Sequence, residues 1–349
     1  MRKMGAIIEP KLAEMREEEL GTPGPNEVVI KMLACNICTT DYQQWLGLRN
    51  HMGFPMAAGH EWSGDVVAVG ENVKYFKVGD RVSPGGGFGC GVCEYCRTGR
   101  HEMCIVPKGP HAMVNGYRGQ RGFSNYRIAN QSDLVKMNKE IAPELCAFLE
   151  PVSAATGCAA KARVKAGENV VIVGMGVMGM LNAQVCHALG ARVIVCDVSP
   201  KKLERARNSG LFDVIDSKNE DPVKRVFELT DGVGADVVIP CIGNSAVYAQ
   251  AYEMLRQGDG RYILFAAGYP APELKIDPNK VHYGRTEIIG TIGSNNEDLF
   301  LAAKLINSKI VDPSLSWEGE KYPLRDIQKA YEAATQPDKY RVTVDLQEI

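Results

Sequence analysis

The chain carries two hydrophobic patterns, and the change between them falls near Pro151. Before it, short apolar and β-branched runs alternate with polar positions and are broken by Gly and Pro, as at residues 28–33, 64–69 and 81–83. Such runs, with turn chemistry between them, predict antiparallel strands in a barrel-like arrangement with long loops. The charged stretch 16–19 reads as a solvated loop before the turn at 21–24. After Asn169 the runs NVVIVG, RVIVCD, DVID, ADVVIPCIG, GRYILFAAG and TEIIGTIGS are separated by helical segments, which end at Leu189 and cover 200–209 and 297–308. Fully apolar strands alternating with helices predict a parallel, doubly wound sheet. The fold class is therefore α/β. A β-rich domain over 1–155 precedes a Rossmann domain over 156–292, and 293–349 returns to the first domain.

One turn in the second half has a specific chemistry. Gly174-Met175-Gly176-Val177-Met178-Gly179 follows the strand NVVIV directly and opens a helix. In that position the first Gly makes the turn, the second admits a pyrophosphate, and the third lets helix and strand pack. The pyrophosphate then rests on the free N–H groups of the helix start. Asp197 ends the next strand about twenty residues on, where its carboxylate accepts from ribose hydroxyls. A 2′-phosphate would meet negative charge there, so the cofactor read is NAD rather than NADP. Lys202, one helical turn further, is placed to cap the ribose edge.

In the first half, GCGVCEYCRTGRHEMC holds Cys90, Cys93, Cys96 and Cys104, separated by two, two and seven residues. Four thiols at this spacing match a closed tetrahedral zinc–thiolate site, which folds a loop and does no chemistry. Disulfide pairing is the competing reading. It is opposed by an odd total of eleven cysteines, spread through apolar stretches, and by the lack of an apolar signal segment.

Charge narrows the picture further. The 349 residues carry 42 acidic and 40 basic side chains, so there is no electrostatic footprint for nucleic acid or for an anionic membrane. No apolar run approaches a membrane span. Free thiols in this number predict a reducing cytoplasm.

Cys38, in ACNICTTDYQQWLG, and His60 and Glu61, in AAGHEWSG, are unremarkable taken one at a time. Beside a four-cysteine lobe, an Glu-Pro pair before the nucleotide domain and the Gly-rich turn, their order and separation gain meaning. The chain resembles the zinc-dependent medium-chain alcohol dehydrogenases along essentially its whole length, nearest the polyol (sorbitol) and threonine branches. The resemblance implies a GroES-like catalytic domain and two zinc ions per chain, one catalytic and one structural. It implies that Cys38 and His60 bind the catalytic zinc, with Glu61 and Glu150 as alternative or joint further ligands. Cys146 lies too early and Cys158 too late to substitute. Thr40 takes the hydroxyl position of a proton relay, and Asp41 is placed to orient His60 or to cap a turn. Ala266 and Ile292, at the ends of late strands, fall beside the cofactor. A homo-oligomer is implied through an edge of the nucleotide domain, tetramer ahead of dimer.

The implied chemistry is hydride transfer between NAD and a secondary alcohol, with zinc as the Lewis acid. The small-molecule substrate reads as a polyol or related multi-hydroxyl compound. Oxidation of a 3-hydroxy amino acid is the alternative, and a non-enzymatic, zinc-stabilised nucleotide-binding protein the outside one. Several positions depart from the polyol pattern. Gln43 replaces a His, Asn36 replaces a Gly and is tolerable there if the backbone is left-handed, Arg121-Gly122-Phe123 replaces Gly-Gly-Phe, and Gly293 and Ser294 stand where sorbitol oxidation uses an Arg. Tyr42, Trp45, Phe54, His111, Tyr117 and Arg118 are the expected pocket lining, with His111 and Arg118 able to meet a carboxylate or phosphate.

Overall fold

The strand Asn169–Val173 is the centre of a sheet because every residue from Val170 to Val173 is buried. Such a strand has no solvent face and needs cover on both sides. The computed structural model describes residues 1–50, 52–85, 89–106 and 113–349. These form two units, Met1–Ser153 with Ser294–Lys309 and Trp317–Ile349, and Ala154–Gly293 with Ile310–Ser316.

In the second unit six parallel strands lie in the order Asp213–Asp216, Arg192–Asp197, Asn169–Val173, Val237–Pro240, Arg261–Leu264, Glu287–Gly290. In chain sequence that is third, second, first, fourth, fifth, sixth, the doubly wound dinucleotide-binding order. Its core gathers Val171, Ile194, Val226, Val238 and Tyr262.

The first unit is built on a sheet in the order Trp317–Pro323, Arg341–Asp345, Glu27–Asn36, Glu61–Val69, Arg81–Pro84, Leu134–Met137, with Tyr126–Asn130 also paired to Glu27–Asn36. The C-terminal strand thus lies beside the strand that leads to Cys38, with Val344 opposite Cys35. Trp45 stacks on Tyr331 at 5.8 Å between ring centroids, and Phe123 meets the same ring edge-on at 5.9 Å.

One expectation fails here, and one condition is not met. The stretch 16–19 is not a solvated loop: Leu12–Glu18 is a strand paired antiparallel with Arg2–Glu9. Glu18 is buried at its end, accepting from Arg2 Nε at 2.7 Å and from Arg121 Nε at 3.2 Å. Two guanidinium partners make that burial tolerable. Asn36 is not left-handed either. It ends a strand, fully buried, and its amide ties three segments: Nδ2 donates to the Glu144 carbonyl at 3.1 Å, and Oδ1 accepts from Thr343 Oγ1 at 2.6 Å. The buried amide is tolerated because both of its ends are satisfied.

Asn36→Ala would orphan the Thr343 hydroxyl and the Glu144 carbonyl, so urea unfolding should show a loss of roughly 1–3 kcal/mol. A loss below about 0.5 kcal/mol would mean the amide carries no structural tie.

Candidate active site

Cys38 sits just ahead of the helix Thr39–Trp45, and His60 and Glu61 sit at the start of the strand Glu61–Val69. One carboxylate locks the two segments together. Asp41, 2% exposed, accepts from the Cys38 N–H at 3.0 Å and the Gly59 N–H at 3.2 Å, and lies 3.4 Å from His60 Nδ1. Asp41 therefore caps the turn and faces the imidazole at once. Burial opposes its ionisation, but His60 and the two N–H groups hold its pKa below the ordinary value. For His60 burial disfavours the charged ring, yet Asp41 and then Cys38 raise its pKa well above the usual range. A cation is wanted at this place.

One Cys38, His60 and Glu61 ligand atom each lie within 4.8 Å of one another. A thiolate, an imidazole and a carboxylate form a donor set that suits zinc. Glu61 is fully buried and already engaged. Arg341 donates to both of its oxygens, Nε to Oε2 at 2.8 Å and Nη2 to Oε1 at 2.6 Å, and Nη2 also lies 3.3 Å from Cys38 Sγ. Nothing in the motifs pointed to Arg341, 280 residues from Glu61. Its only sequence signal is a charge at the head of the short strand Arg341–Asp345, whose first four residues are buried.

Glu150 stands apart from that compact trio but lines the same cavity, about 230 Å³, with Thr40, Asp41, Gln44, Gly59 and His60. Its carboxylate has no hydrogen bond or ion pair among the described residues. Burial holds it above the ordinary carboxyl range against the pull of His60. Thr40 Oγ1 accepts from Arg49 Nη1 at 3.1 Å. The expected lining is largely elsewhere. Tyr42, Trp45 and Phe54 pack into the core, and Arg118 Nη1 donates to the Met52 carbonyl at 3.3 Å. Tyr117 gives its carbonyl to Arg121 Nη2 at 2.9 Å, and His111 lies outside the described residues. Cys146 and Cys158 are buried thiols whose pKa values burial raises.

The four lobe cysteines converge as their spacing suggests. Their sulfurs all fall within 4.8 Å of one another, with Cys90 to Cys96 at 3.9 Å and Cys93 to Cys104 at 4.0 Å. Four sulfurs each about 2.3 Å from a tetrahedral centre are about 3.8 Å apart, so a zinc ion fits. The N–H groups of Cys90 and Cys93 donate to Cys104 Sγ and Cys90 Sγ, each at 3.2 Å. Backbone N–H groups of Val92 and Cys93 bring the Cys90 thiol down to about 6, while burial pushes Cys96 up to about 12. All eleven cysteines are free thiols.

In the second unit the Gly-rich turn fits a dinucleotide on three counts. Gly174 has φ +96°, a Cβ on Gly179 would lie 1.7 Å from the Gly174 carbonyl oxygen, and the space beside Gly176 is open. Gly176 precedes the helix Val177–Ala188, which has no side-chain cap, so its first N–H groups, from Val177 and Met178 on, are available to a phosphate. The Asp197 carboxylate accepts from the N–H groups of Met175, Val198 and Ser199 at 2.5, 2.7 and 2.8 Å. Lys202 lies on the helix Pro200–Ser209, the Ala266 carbonyl accepts from the Tyr248 hydroxyl, and Ile292 is 89% exposed.

Comparison with known proteins decides the family. Residues 24–139 match the alcohol dehydrogenase GroES-like domain and residues 176–308 the zinc-binding dehydrogenase domain. The sorbitol dehydrogenase of Halalkalibacterium halodurans is 31% identical over 331 residues, 94% of this chain and 94% of that protein. The chain belongs to the zinc-dependent medium-chain alcohol dehydrogenases. The L-threonine 3-dehydrogenase of Deinococcus radiodurans is 30% identical over 340 residues, 95% of this chain and 94% of the relative. A solved Escherichia coli oxidoreductase/dehydrogenase of unknown specificity superposes with a TM-score of 0.87 at 27% identity, over 99% of each chain. As a member of this family the protein is an enzyme, an oxidoreductase whose cofactors are zinc and a nicotinamide dinucleotide, and the non-enzymatic reading falls. No helix of the described residues is long and apolar enough to cross a membrane.

Cys96→Ser should remove one of two zinc ions per chain and lower Tm by several degrees, since closed zinc sites contribute folding energy. Retention of both ions, read by metal analysis of the purified variant, would remove Cys96 from the ligand set.

Proposed function

We propose that this dehydrogenase moves hydride between NAD and a secondary alcohol of a polyol or related multi-hydroxyl compound. The reading is carried by one observation: Thr40, His60 and the unpartnered Glu150 carboxylate open onto one cavity, beside Cys38. Cys38 and His60 would hold the catalytic zinc. Glu150 would complete the donor set, while Glu61, spent on Arg341, sets the charge behind it. Cys90, Cys93, Cys96 and Cys104 would hold the structural ion. Zinc bound in the cavity supplies a Lewis acid that makes a hydroxyl easier to ionise. Asp41 keeps the His60 ring in one orientation and tautomer. Thr40 is placed to take the substrate proton. With Arg49 donating to one lone pair of its oxygen, the Thr40 hydroxyl keeps its own proton and a second lone pair for the relay.

The turn Gly174 to Gly179 would take the pyrophosphate. Three backbone N–H groups use three of the roughly four lone-pair sites of Asp197, leaving one for a ribose hydroxyl and none suited to a 2′-phosphate. Lys202, Ala266 and Ile292 would flank the rest of NAD. Eleven free thiols favour a reducing cytoplasm. The edge strand Glu287–Gly290, with Ile288 exposed, favours a homo-oligomer, and the family resemblance puts tetramer ahead of dimer. A second reading, oxidation of a 3-hydroxy amino acid, rests on the Arg49 guanidinium, a positive charge that donates to Thr40 from outside the lining residues.

NADH formation across polyols, phosphorylated polyols, 3-hydroxy amino acids and simple alcohols tests the reading, with Cys38→Ser as control. Turnover of polyols that Cys38→Ser lacks is expected; turnover retained by that variant would sink the metal assignment. Glu150→Gln should drop zinc from two ions per chain to one, whereas Glu61→Gln should keep both. The reverse pattern would make Glu61 the third ligand.

A further inference from the structure

The cavity around His60 is small and half polar. At about 230 Å³ it lies below the roughly 300–1,000 Å³ typical of drug-sized sites, so it suits a ligand of a few carbons. Met52, Met56 and Ala58 make one side apolar. Two carboxamides, those of Gln44 and Gln120, add uncharged polar groups to the lining. Gln44 is 4% exposed, yet its side-chain amide has no hydrogen bond among the described residues. Its amide atoms are not among the buried unpaired ones, so this otherwise packed residue keeps its polar end for the cavity it lines. The Gln120 amide is likewise unpartnered among the described residues, although its backbone is fixed by the Arg127 guanidinium on its carbonyl. Each amide offers two donors and an acceptor, a match for hydroxyl groups that both give and take.

Charge points the same way. Among the described residues lining the cavity there is no Lys or Arg, whereas Asp41 and Glu150 are carboxylates. Arg49, the cation that reaches Thr40, is held by the Thr40 hydroxyl. A phosphate or carboxylate on the substrate would meet negative charge without a lining cation to offset it.

We propose that Gln44 and Gln120 are the specificity residues of this dehydrogenase, reading hydroxyls next to the reacting carbon, and that its substrate is an uncharged polyol. This rests on the reading of the same cavity as the site of alcohol oxidation. A site built to hydrogen-bond a hydroxyl rejects the analogue without it far more strongly than an apolar pocket discriminates by size.

The test uses the zinc-loaded protein and compares kcat/KM for erythritol, xylitol, sorbitol, sorbitol 6-phosphate, L-threonine and 2-butanol. The wild type should favour at least one free polyol over 2-butanol, L-threonine and the phosphate. Gln44→Leu and Gln120→Leu should each lower the polyol to 2-butanol ratio by about tenfold, with most of the change in KM. Gln44→Asn should recover part of it. An unmoved ratio in variants that keep two zinc ions and the wild-type Tm would overturn the proposal. So would a preference for the phosphate or for L-threonine. If the wild type oxidises nothing, the reading as an alcohol site fails, and calorimetric titration with xylitol then decides the assignment by itself. Binding weakened about tenfold in Gln44→Leu upholds it, and no binding refutes it. Should Gln44→Leu not fold, Gln120→Leu carries the same comparison.

Discussion

The site depends on a buried ion pair. Glu61 is fully buried and Arg341 nearly so, and their planar groups meet through two hydrogen bonds. Taking two charges out of water costs several kcal/mol each, which only bidentate geometry and further bonds can offset. Here the pair does more than cancel itself, because Arg341 also reaches the Cys38 sulfur. One guanidinium from the last strand of the chain thereby fixes the side chains of two segments that the sequence separates by more than twenty residues. Losing either partner would strand a charge, at about 3–5 kcal/mol. The strand Arg341–Asp345 has to pair next to Glu27–Asn36, so a C-terminal residue braces Cys38 and Glu61, which lie within the first sixty-one.

That pair also divides the labour between two acids. Glu61 is nearer to Cys38 and His60, but both of its oxygens are occupied. Glu150 is further off and has no partner, and its burial makes ionisation costly without a cation nearby. Distance alone would choose Glu61. The count of unmade interactions favours Glu150, which is why the proposed donor set takes it in preference to Glu61.

The parts of the molecule legible in the sequence are those where chemistry restricts residue type at short range. The Gly-rich turn is readable because a Cβ at Gly179 would collide with the Gly174 carbonyl, and the cysteine lobe because four thiols within fifteen residues must meet. Helices and parallel strands of the second unit follow from local periodicity, and the helix Pro200–Ser209 falls where the pattern placed it. What escaped depends on distant partners. Glu18 reads as a surface charge until Arg2 and Arg121 close on it, and Arg341 as an ordinary strand residue until Glu61 lies opposite. Tyr42, Trp45 and Phe54 were misplaced because an aromatic ring on a loop fits a core as well as a pocket. Gln44 and Gln120 gave no signal, since an amide becomes informative only when its lack of a partner can be seen.

Asp197 shows how a readable rule can hide a second role. An acid at the end of the second strand is expected to face the ribose, and Asp197 does end the strand Arg192–Asp197. Its oxygens nevertheless already accept from Met175, inside the Gly-rich turn, and from Val198 and Ser199, which lead into the next helix. Three charge-assisted bonds of this kind hold the phosphate turn and the ribose acid in one rigid piece. Cofactor choice and turn geometry are therefore not separable at this residue. An acid kept only for discrimination could be exchanged for a neutral side chain with a change in preference alone, whereas here the exchange would also release the Met175 N–H and loosen the Gly-rich turn proposed for the pyrophosphate.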